Sequence, residues 1–275
     1  MSYAFPGEGA LDYFLCRYGT SRLVFRGPRR SLERPFIAIL GGSETYGKFI
    51  PDPYPDLVED EINMPVVNLG CMNAGPDVFL HDPAIAEIAN RAAVTVVQLM
   101  GAINVSNRYY AVHPRRNDRF VHATPVLRAM FREVDFTEFS FTRHMLQVLQ
   151  ATSADRFEVL AEELRATWVA RMQSLLVRIT GPKLLFWMSE QPPPPPTRPA
   201  NLSVAPLLVD AEMVKVLRGM ADDYVEQITT PQGRQEGLSG MAFSPLEAAA
   251  AAGLPGPAAH REAAAALTPA LLRYI

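Results

Sequence analysis

Short apolar runs recur along the chain and predict buried strands. Residues 36–40, 66–69, 95–100 and 183–188 are the strong candidates, and 225–229 is a weaker fifth. Each run is continuous rather than alternating, which is typical of strands in a parallel sheet that is covered on both faces. Helical patterns lie between and after these runs, at 82–91, 156–179, 211–220 and 258–267.

Strands that alternate with helices favour right-handed crossovers and a parallel sheet. We therefore predict an α/β fold of three layers (α/β/α), with a flavodoxin-like, doubly wound parallel sheet. The length of 275 residues is compatible with one domain over 1–275.

Two segments interrupt the alternation. Residues 105–155 form a long connection, rich in aromatic and Arg residues, and a connection of this length predicts a packed lid or binding insertion. Residues 191–200 contain five consecutive prolines. Such a stretch is either a ligand for SH3-like partners or a stiff surface loop, and its place between a strand and a helix favours the stiff loop.

Composition narrows the function classes. A formal net charge of −3 gives no general attraction to nucleic acid. The N-terminus lacks the pattern of a secretory signal, and no stretch reaches the roughly 20 apolar residues of a membrane span. Two cysteines, Cys16 and Cys71, show neither a disulfide framework nor metal-ligand spacing. We expect a reduced, cytoplasmic protein without a membrane span, and the sequence does not indicate its oligomeric state.

Candidate chemistry lies just after the predicted strands. Segments 41–43, 70–75 and 101–104 each follow one of them, and the carboxyl ends of parallel strands share one rim where ligands bind. The first segment, Gly41-Gly42-Ser43, predicts a hydroxyl exposed at this rim, because glycines allow a sharp turn before it.

The motif order along the chain resembles the SGNH (GDSL-type) hydrolases. The blocks are GGSETYG from Gly41, NLGCMNAG from Asn68, GAIN from Gly101, and His260 near the C-terminus. The resemblance is closer still to an uncharacterised bacterial family of SGNH-like proteins with the same long insertion. It implies the SGNH hydrolase-like fold.

The resemblance also implies roles for single residues. Ser43 would be the nucleophile and His260 the general base, and the oxyanion hole would consist of the Ser43 and Gly70 N–H groups with the Asn104 amide. The third block has one extra residue between Gly101 and Asn104, so Asn107 is an alternative to Asn104.

The last block departs from the family pattern. Pro257 stands where an Asp is expected, and that Asp would orient the imidazole. A Ser43–His260 dyad is the form of the site that remains.

The leading hypothesis is a serine esterase or deacylase that acts on an O-acyl ester, possibly of a saccharide, without metal or organic cofactor. One alternative is a carbohydrate O-acyltransferase with the same site. The other is a non-catalytic module that binds a glycan or protein. His113, Arg115 and Arg116 are weaker candidates for binding an anionic group of the substrate.

Overall fold

A computed structural model describes residues 11–196 and 198–275. The description leaves out residues 1–10, which belong to the N-terminus predicted to lack a secretory signal. It also leaves out Thr197 of the predicted Pro-rich loop. The strands are β1 (Ile37–Gly41), β2 (Val66–Gly70), β3 (Val94–Gln98), β4 (Tyr110–His113), β5 (Arg116–Ala123), β6 (Lys183–Ser189) and β7 (Asp223–Ile228).

The helices begin with α1 (Ser43–Tyr46), α2 (Tyr54–Ile62), α3 (Pro76–Leu80), α4 (Pro83–Arg91), α5 (Pro125–Met130) and α6 (Thr142–Thr152). They continue with α7 (Ala154–Arg178), α8 (Ala211–Arg218), α9 (Pro231–Glu236), α10 (Ala248–Ala251) and α11 (Pro257–Leu271). Side-chain caps explain several starts: Asp82 accepts from Ala84 N at α4, and Asp210 accepts from Met213 N at α8. None of the helices in the described part of the chain has both the length and the apolar character needed to cross a membrane.

The central sheet confirms the predicted α/β fold. Its strand order is β2-β1-β3-β6-β7, and all of its strand pairs are parallel. This order, 2-1-3-4-5 when only the sheet strands are counted, is the flavodoxin-like one. Each of the five predicted runs overlaps one of these strands. The third ends earlier than predicted, because Leu99 and Met100 leave the ladder yet remain buried.

Alternate residues of each strand face opposite layers. Ile37 and Ile39 of β1 pack toward α2 and α11, whereas Ala38 and Leu40 pack toward α7 and its neighbours. The α11 layer is Ala-rich, and small side chains allow α11 to lie close to α2.

The segment between β3 and α7 is folded and packed. It contains the antiparallel pair β4–β5, followed by α5 and α6. Leu127, Phe131 and Leu146 are each 0% exposed. Sequence patterns missed the elements of this segment, as well as α2, because none carries a long periodic apolar pattern.

Candidate active site

The three motif-bearing turns meet at one cavity, as the parallel sheet predicts. This cavity has a volume of about 590 Å³, and residues of all three turns line it, including Ser43, Asn73 and Asn104. We call it the Ser43 cavity. It lies at the carboxyl ends of β1 and β3, with the 105–155 segment along one side.

Close packing behind Ser43 explains the glycine before its turn. A Cβ on Gly41 would lie 2.0 Å from Thr45 Oγ1 and 2.5 Å from Gln98 Oε1, so a side chain does not fit there. Gln98 Oε1 also accepts the Gly42 N–H at 2.7 Å. The chain therefore turns tightly from β1 into α1, and Ser43 is held at the cavity wall with 8% of its surface exposed.

Among the described residues, the hydroxyl of Ser43 forms hydrogen bonds with Asn73 alone. Its Oγ accepts the Asn73 N–H at 2.9 Å and donates to Asn73 Oδ1 at 3.2 Å. The Asn73 side chain in turn donates from Nδ2 to Asp118 Oδ2 at 3.3 Å. An amide oxygen accepts hydrogen bonds well, but it is too weak a base to take up a proton near neutral pH. The contact orients the hydroxyl without activating it.

Gly70 is placed behind the site rather than in it. Its N–H donates to Asn68 Oδ1 at 2.9 Å, and a Cβ there would lie 2.3 Å from Tyr46 N. The Gly70 N–H is therefore not directed at Ser43, and its predicted oxyanion role is not supported. A glycine is needed at this position because α1 packs directly on β2. Asn73 N–H is the donor that reaches Ser43. Its φ of 53° is one that Asn adopts more readily than most residues, and this is the signal that sequence reasoning passed over.

Asn104, and not Asn107, borders the Ser43 cavity. The Asn104 side chain donates to Asn73 O at 2.9 Å and accepts from Thr142 Oγ1 at 2.7 Å. The Asn107 side chain instead accepts the Tyr109 and Tyr110 N–H groups in a turn. Of the two candidates for the third block, Asn104 is therefore the one that reaches the cavity, and its oxyanion role stays a prediction.

The structure does not bring His260 to Ser43. His260 is the fourth residue of α11, 1% exposed, and its Nδ1 accepts the Tyr54 N–H at 3.1 Å while the ring stacks on that of Tyr54. Burial, with a smaller contribution from Arg26, lowers the pKa of His260 to about 3. Among the described residues it neither lines the Ser43 cavity nor bonds to Ser43. The predicted dyad is not formed, because the helix directs this side chain toward α2.

The anion-binding candidates lie at the β4–β5 turn, away from the cavity. His113 Nδ1 accepts the Arg115 N–H, and His113 pairs with Arg116 across the turn. None of the three lines the Ser43 cavity in the part of the chain that is described. Other residues of the same insertion do: Asp118, Phe141, Thr142, Arg143, His144 and Gln147.

Glu44 is a cavity residue that the sequence motifs did not single out. It follows Ser43 on α1, and its carboxylate lies beside Gly42, with Oε2 2.8 Å from where a Gly42 Cβ would be. Burial raises its pKa, although hydrogen bonds from its own N–H and from Gln98 act in the opposite direction. Desolvation of a carboxyl group in a cleft is a feature of functional sites.

No group of three or more His, Cys, Asp or Glu side chains in residues 11–196 and 198–275 is arranged to hold a metal ion. The polar groups of the cavity are amides, hydroxyls, the carboxyl groups of Glu44 and Asp118, the Arg143 guanidinium and the His144 imidazole.

The structure defines an α/β protein with a flavodoxin-like parallel sheet and a serine at its first strand-to-helix turn. A family model described as "Domain of unknown function (DUF6473)" matches residues 1–275. The chain belongs to that family. A comparison with curated proteins gave no match.

Solved structures similar to this chain include lipases and carbohydrate esterases. A lipase from a goat rumen metagenome is 12% identical, with a TM-score of 0.45, over 86% of this chain and 97% of that one. A catalytic mutant of an acetylxylan esterase from Geobacillus stearothermophilus is 13% identical, with a TM-score of 0.40, over 87% and 93%. A family two carbohydrate esterase from Clostridium thermocellum is 11% identical, with a TM-score of 0.44, over 90% and 67%. At these values the likeness assigns neither an activity nor a substrate to this chain.

Proposed function

We propose that the chain is an ester-processing enzyme in which Ser43 attacks the carbonyl carbon of an O-acyl group. The observation that carries this proposal is the Ser43 hydroxyl itself. It lies at the wall of a cavity of about 590 Å³, with the Asn73 N–H 2.9 Å from its oxygen. A donor that close to the nucleophile is also close to the oxygen of the carbonyl under attack.

The proposed first step is formation of an acyl–Ser43 ester. Ser43 Oγ bonds to the carbonyl carbon, and the carbonyl oxygen becomes an oxyanion. As Oγ turns toward the substrate, the Asn73 N–H is released to donate to that oxyanion, with the Asn104 amide beside it. The bond from the carbonyl carbon to the alkoxy oxygen then breaks, and the alcohol leaves with the proton that the Ser43 hydroxyl has lost. A hydroxyl compound or water later releases the acyl group, and its proton restores the Ser43 hydroxyl.

The composition of the cavity wall supports a polar, saccharide-like substrate. Amide side chains of Asn73, Asn104 and Gln147 line it, and such groups form hydrogen bonds with sugar hydroxyls. Phe141 is 43% exposed at the same wall. By contrast, Phe136 and Phe139 of the same aromatic run are buried in the core.

A second candidate is a non-catalytic glycan- or protein-binding module with the same cavity. The observation that favours it is the orientation of His260, which leaves Ser43 without a histidine partner among the described residues. A serine hydroxyl needs a base to become a competent nucleophile.

A fluorophosphonate probe separates the two candidates. Purified wild type and Ser43→Ala are treated with the probe, the labelled peptide is identified by mass spectrometry, and p-nitrophenyl acetate turnover is measured in parallel. We expect labelling at Ser43 and loss of turnover in the variant. Absence of labelling, together with equal turnover in both proteins, would reject the enzyme and leave the binding module.

A further inference from the structure

A second cavity adjoins the Ser43 cavity along the carboxyl edge of the sheet. Its volume is about 440 Å³, and it lies beyond the ends of β6 and β7, where Ser189 and Thr229 line it. The two cavities share a wall formed by Glu44, Ser203, Ala205, Gly253 and Leu254. Of these shared residues, Glu44 alone is ionisable.

The Glu44 carboxyl group has no cationic partner in the described part of the chain. No Lys, Arg or His nitrogen among those residues lies within 4.0 Å of it. The carboxylate lies beside Gly42, whose N–H donates to Gln98 Oε1. A carboxyl group that lines a cavity and is not neutralised by a cation is available for proton transfer.

The other ionisable residues of the Ser43 cavity are less suitable. Asp118 is separated from Ser43 by the Asn73 amide, and neither Asp118 nor His144 borders the second cavity. Arg143 does not act as a base, because a guanidinium stays protonated. Glu44 lines the Ser43 cavity together with Ser43, and it lines the second cavity as well.

We propose that Glu44 is the general acid–base of the Ser43 reaction and that the second cavity holds the hydroxyl compound which accepts the acyl group. This inference rests on the proposed function. Hydroxyl and amide side chains line the second cavity, among them Ser189, Gln191 and Thr229. The acceptor that this wall suits is a polyhydroxylated one, a saccharide.

Each proton and each bond is accounted for in two half-reactions. In the first, the Ser43 O–H proton passes to the Glu44 carboxylate as the Oγ–carbon bond forms, and Glu44 returns it to the departing alcohol oxygen. In the second, the acceptor hydroxyl gives its proton to Glu44 and bonds to the acyl carbon. The bond to Ser43 Oγ then breaks, and Oγ takes the proton back from Glu44.

The role of Glu44 is tested by p-nitrophenyl acetate turnover across pH in wild type, Glu44→Gln and the exposed control Glu87→Gln. General acid–base catalysis contributes about 10²- to 10⁴-fold, so we expect Glu44→Gln to lose at least about 100-fold in kcat. The wild-type rate should rise with pH as Glu44 ionises, above the ordinary range of a glutamate because its pKa is raised. That rise should be absent in Glu44→Gln and retained in Glu87→Gln.

The outcomes distinguish this inference from the proposed function. If Ser43→Ala abolishes turnover but Glu44→Gln keeps the wild-type rate and pH profile, Ser43 stands and the role of Glu44 is rejected. If Ser43→Ala changes nothing, the proposed function itself fails. Circular dichroism of each variant shows whether a lost rate reflects a lost fold.

The acceptor cavity is tested with cellobiose as a probe acceptor, by measuring acetyl-cellobiose against acetate. Ala252 is exposed and lines the second cavity but not the Ser43 cavity, so Ala252→Trp fills the former. We expect this variant to lower the ratio of transfer to hydrolysis by about tenfold, the effect of losing roughly 1.4 kcal/mol of binding. The exposed Ala265→Trp on α11 is the matched control. No transfer product in wild type, or equal ratios in both variants, would overturn the acceptor cavity.

Discussion

Ser43 and His260, the two residues of the predicted dyad, lie in different surroundings. Ser43 lies at the end of β1, bonded to Asn73, and faces a cavity. His260 lies one turn into α11, bonded to the α2 backbone and 1% exposed. Both residues sit in segments that match SGNH blocks, yet only the first is placed where a substrate can reach it.

The difference shows that the direction in which a residue points from its helix decides whether that residue reaches a site. The loop before α11 borders the Ser43 cavity at Gly253 and Leu254. His260 comes later, inside the helix, where its direction is set by the backbone. Tyr54 still connects the two regions by hydrogen bonds. Its N–H donates to His260, and its hydroxyl lies 2.7 Å from Thr45 Oγ1 on α1, the helix that carries Ser43. His260 therefore contributes to the packing that positions α1.

The largest expected effect comes from Gly70→Ala, which tests the packing behind Ser43. A Cβ at 2.3 Å from Tyr46 N forces α1 away from β2. Overpacking of this kind typically costs about 1–3 kcal/mol and occasionally more, and we expect a loss at the upper end in urea unfolding.

The control for Gly70→Ala is Gly181→Ala. At Gly181 the nearest atom to a new Cβ is Ala92 O at 3.9 Å, so we expect a change within about 0.5 kcal/mol. If Gly70→Ala proved as stable as the control, the close packing of α1 on β2 would be contradicted.

The next largest effect is expected on the pH dependence of stability, and it comes from the buried His260. Since the pKa of His260 falls from 6.5 to about 3 on folding, the unfolded chain binds a proton near pH 5 that the folded chain does not. His260 therefore lowers the free energy of unfolding as pH falls below 6.5, by about 2 kcal/mol at pH 5.

His260→Asn removes this titration while its Oδ1 replaces Nδ1 as acceptor for the Tyr54 N–H. Between pH 7 and pH 5, wild type should lose about 2 kcal/mol more in urea unfolding than the variant. The pKa of Asp56 is raised to about 6 by burial, so its protonation increases the free energy of unfolding as pH falls over the same range. This contribution is the same in both proteins and cancels in the comparison. Parallel pH curves for the two would mean that His260 is solvated in the folded state.

A smaller effect on stability is expected at Asn73, which lines the Ser43 cavity. Its φ of 53° is left-handed, and alanine pays about 1 kcal/mol there. Asn73→Gly suits the backbone, so Asn73→Ala should be the less stable variant by about 1 kcal/mol in thermal or urea unfolding. Both variants lose the side-chain bond to Asp118, which therefore cancels. Equal stability would show that the left-handed turn is not maintained in solution.

The sheet could be predicted from the sequence because buried parallel strands are continuous apolar runs, and the weak run at 225–229 became β7. The location of the site could also be predicted, since the turns after β1, β2 and β3 had to share one edge of the sheet. The hydrogen-bond partners of the residues at this edge could not be predicted. Whether Gly70 or Asn73 donates to Ser43, and which way His260 points, depends on backbone angles that no residue pattern records. Glu44 was missed because only the fold places its partly buried carboxyl group beside Gly42 in the Ser43 cavity.

The most direct test of the central claim is the rate at which a fluorophosphonate probe labels Ser43 in folded His260→Asn and in wild type. We expect rates that agree within about threefold, because the orientation of His260 toward Tyr54 leaves it no part in activating Ser43. A loss of about 10²- to 10⁴-fold, the usual contribution of a general base, would contradict the account and restore the Ser43–His260 dyad.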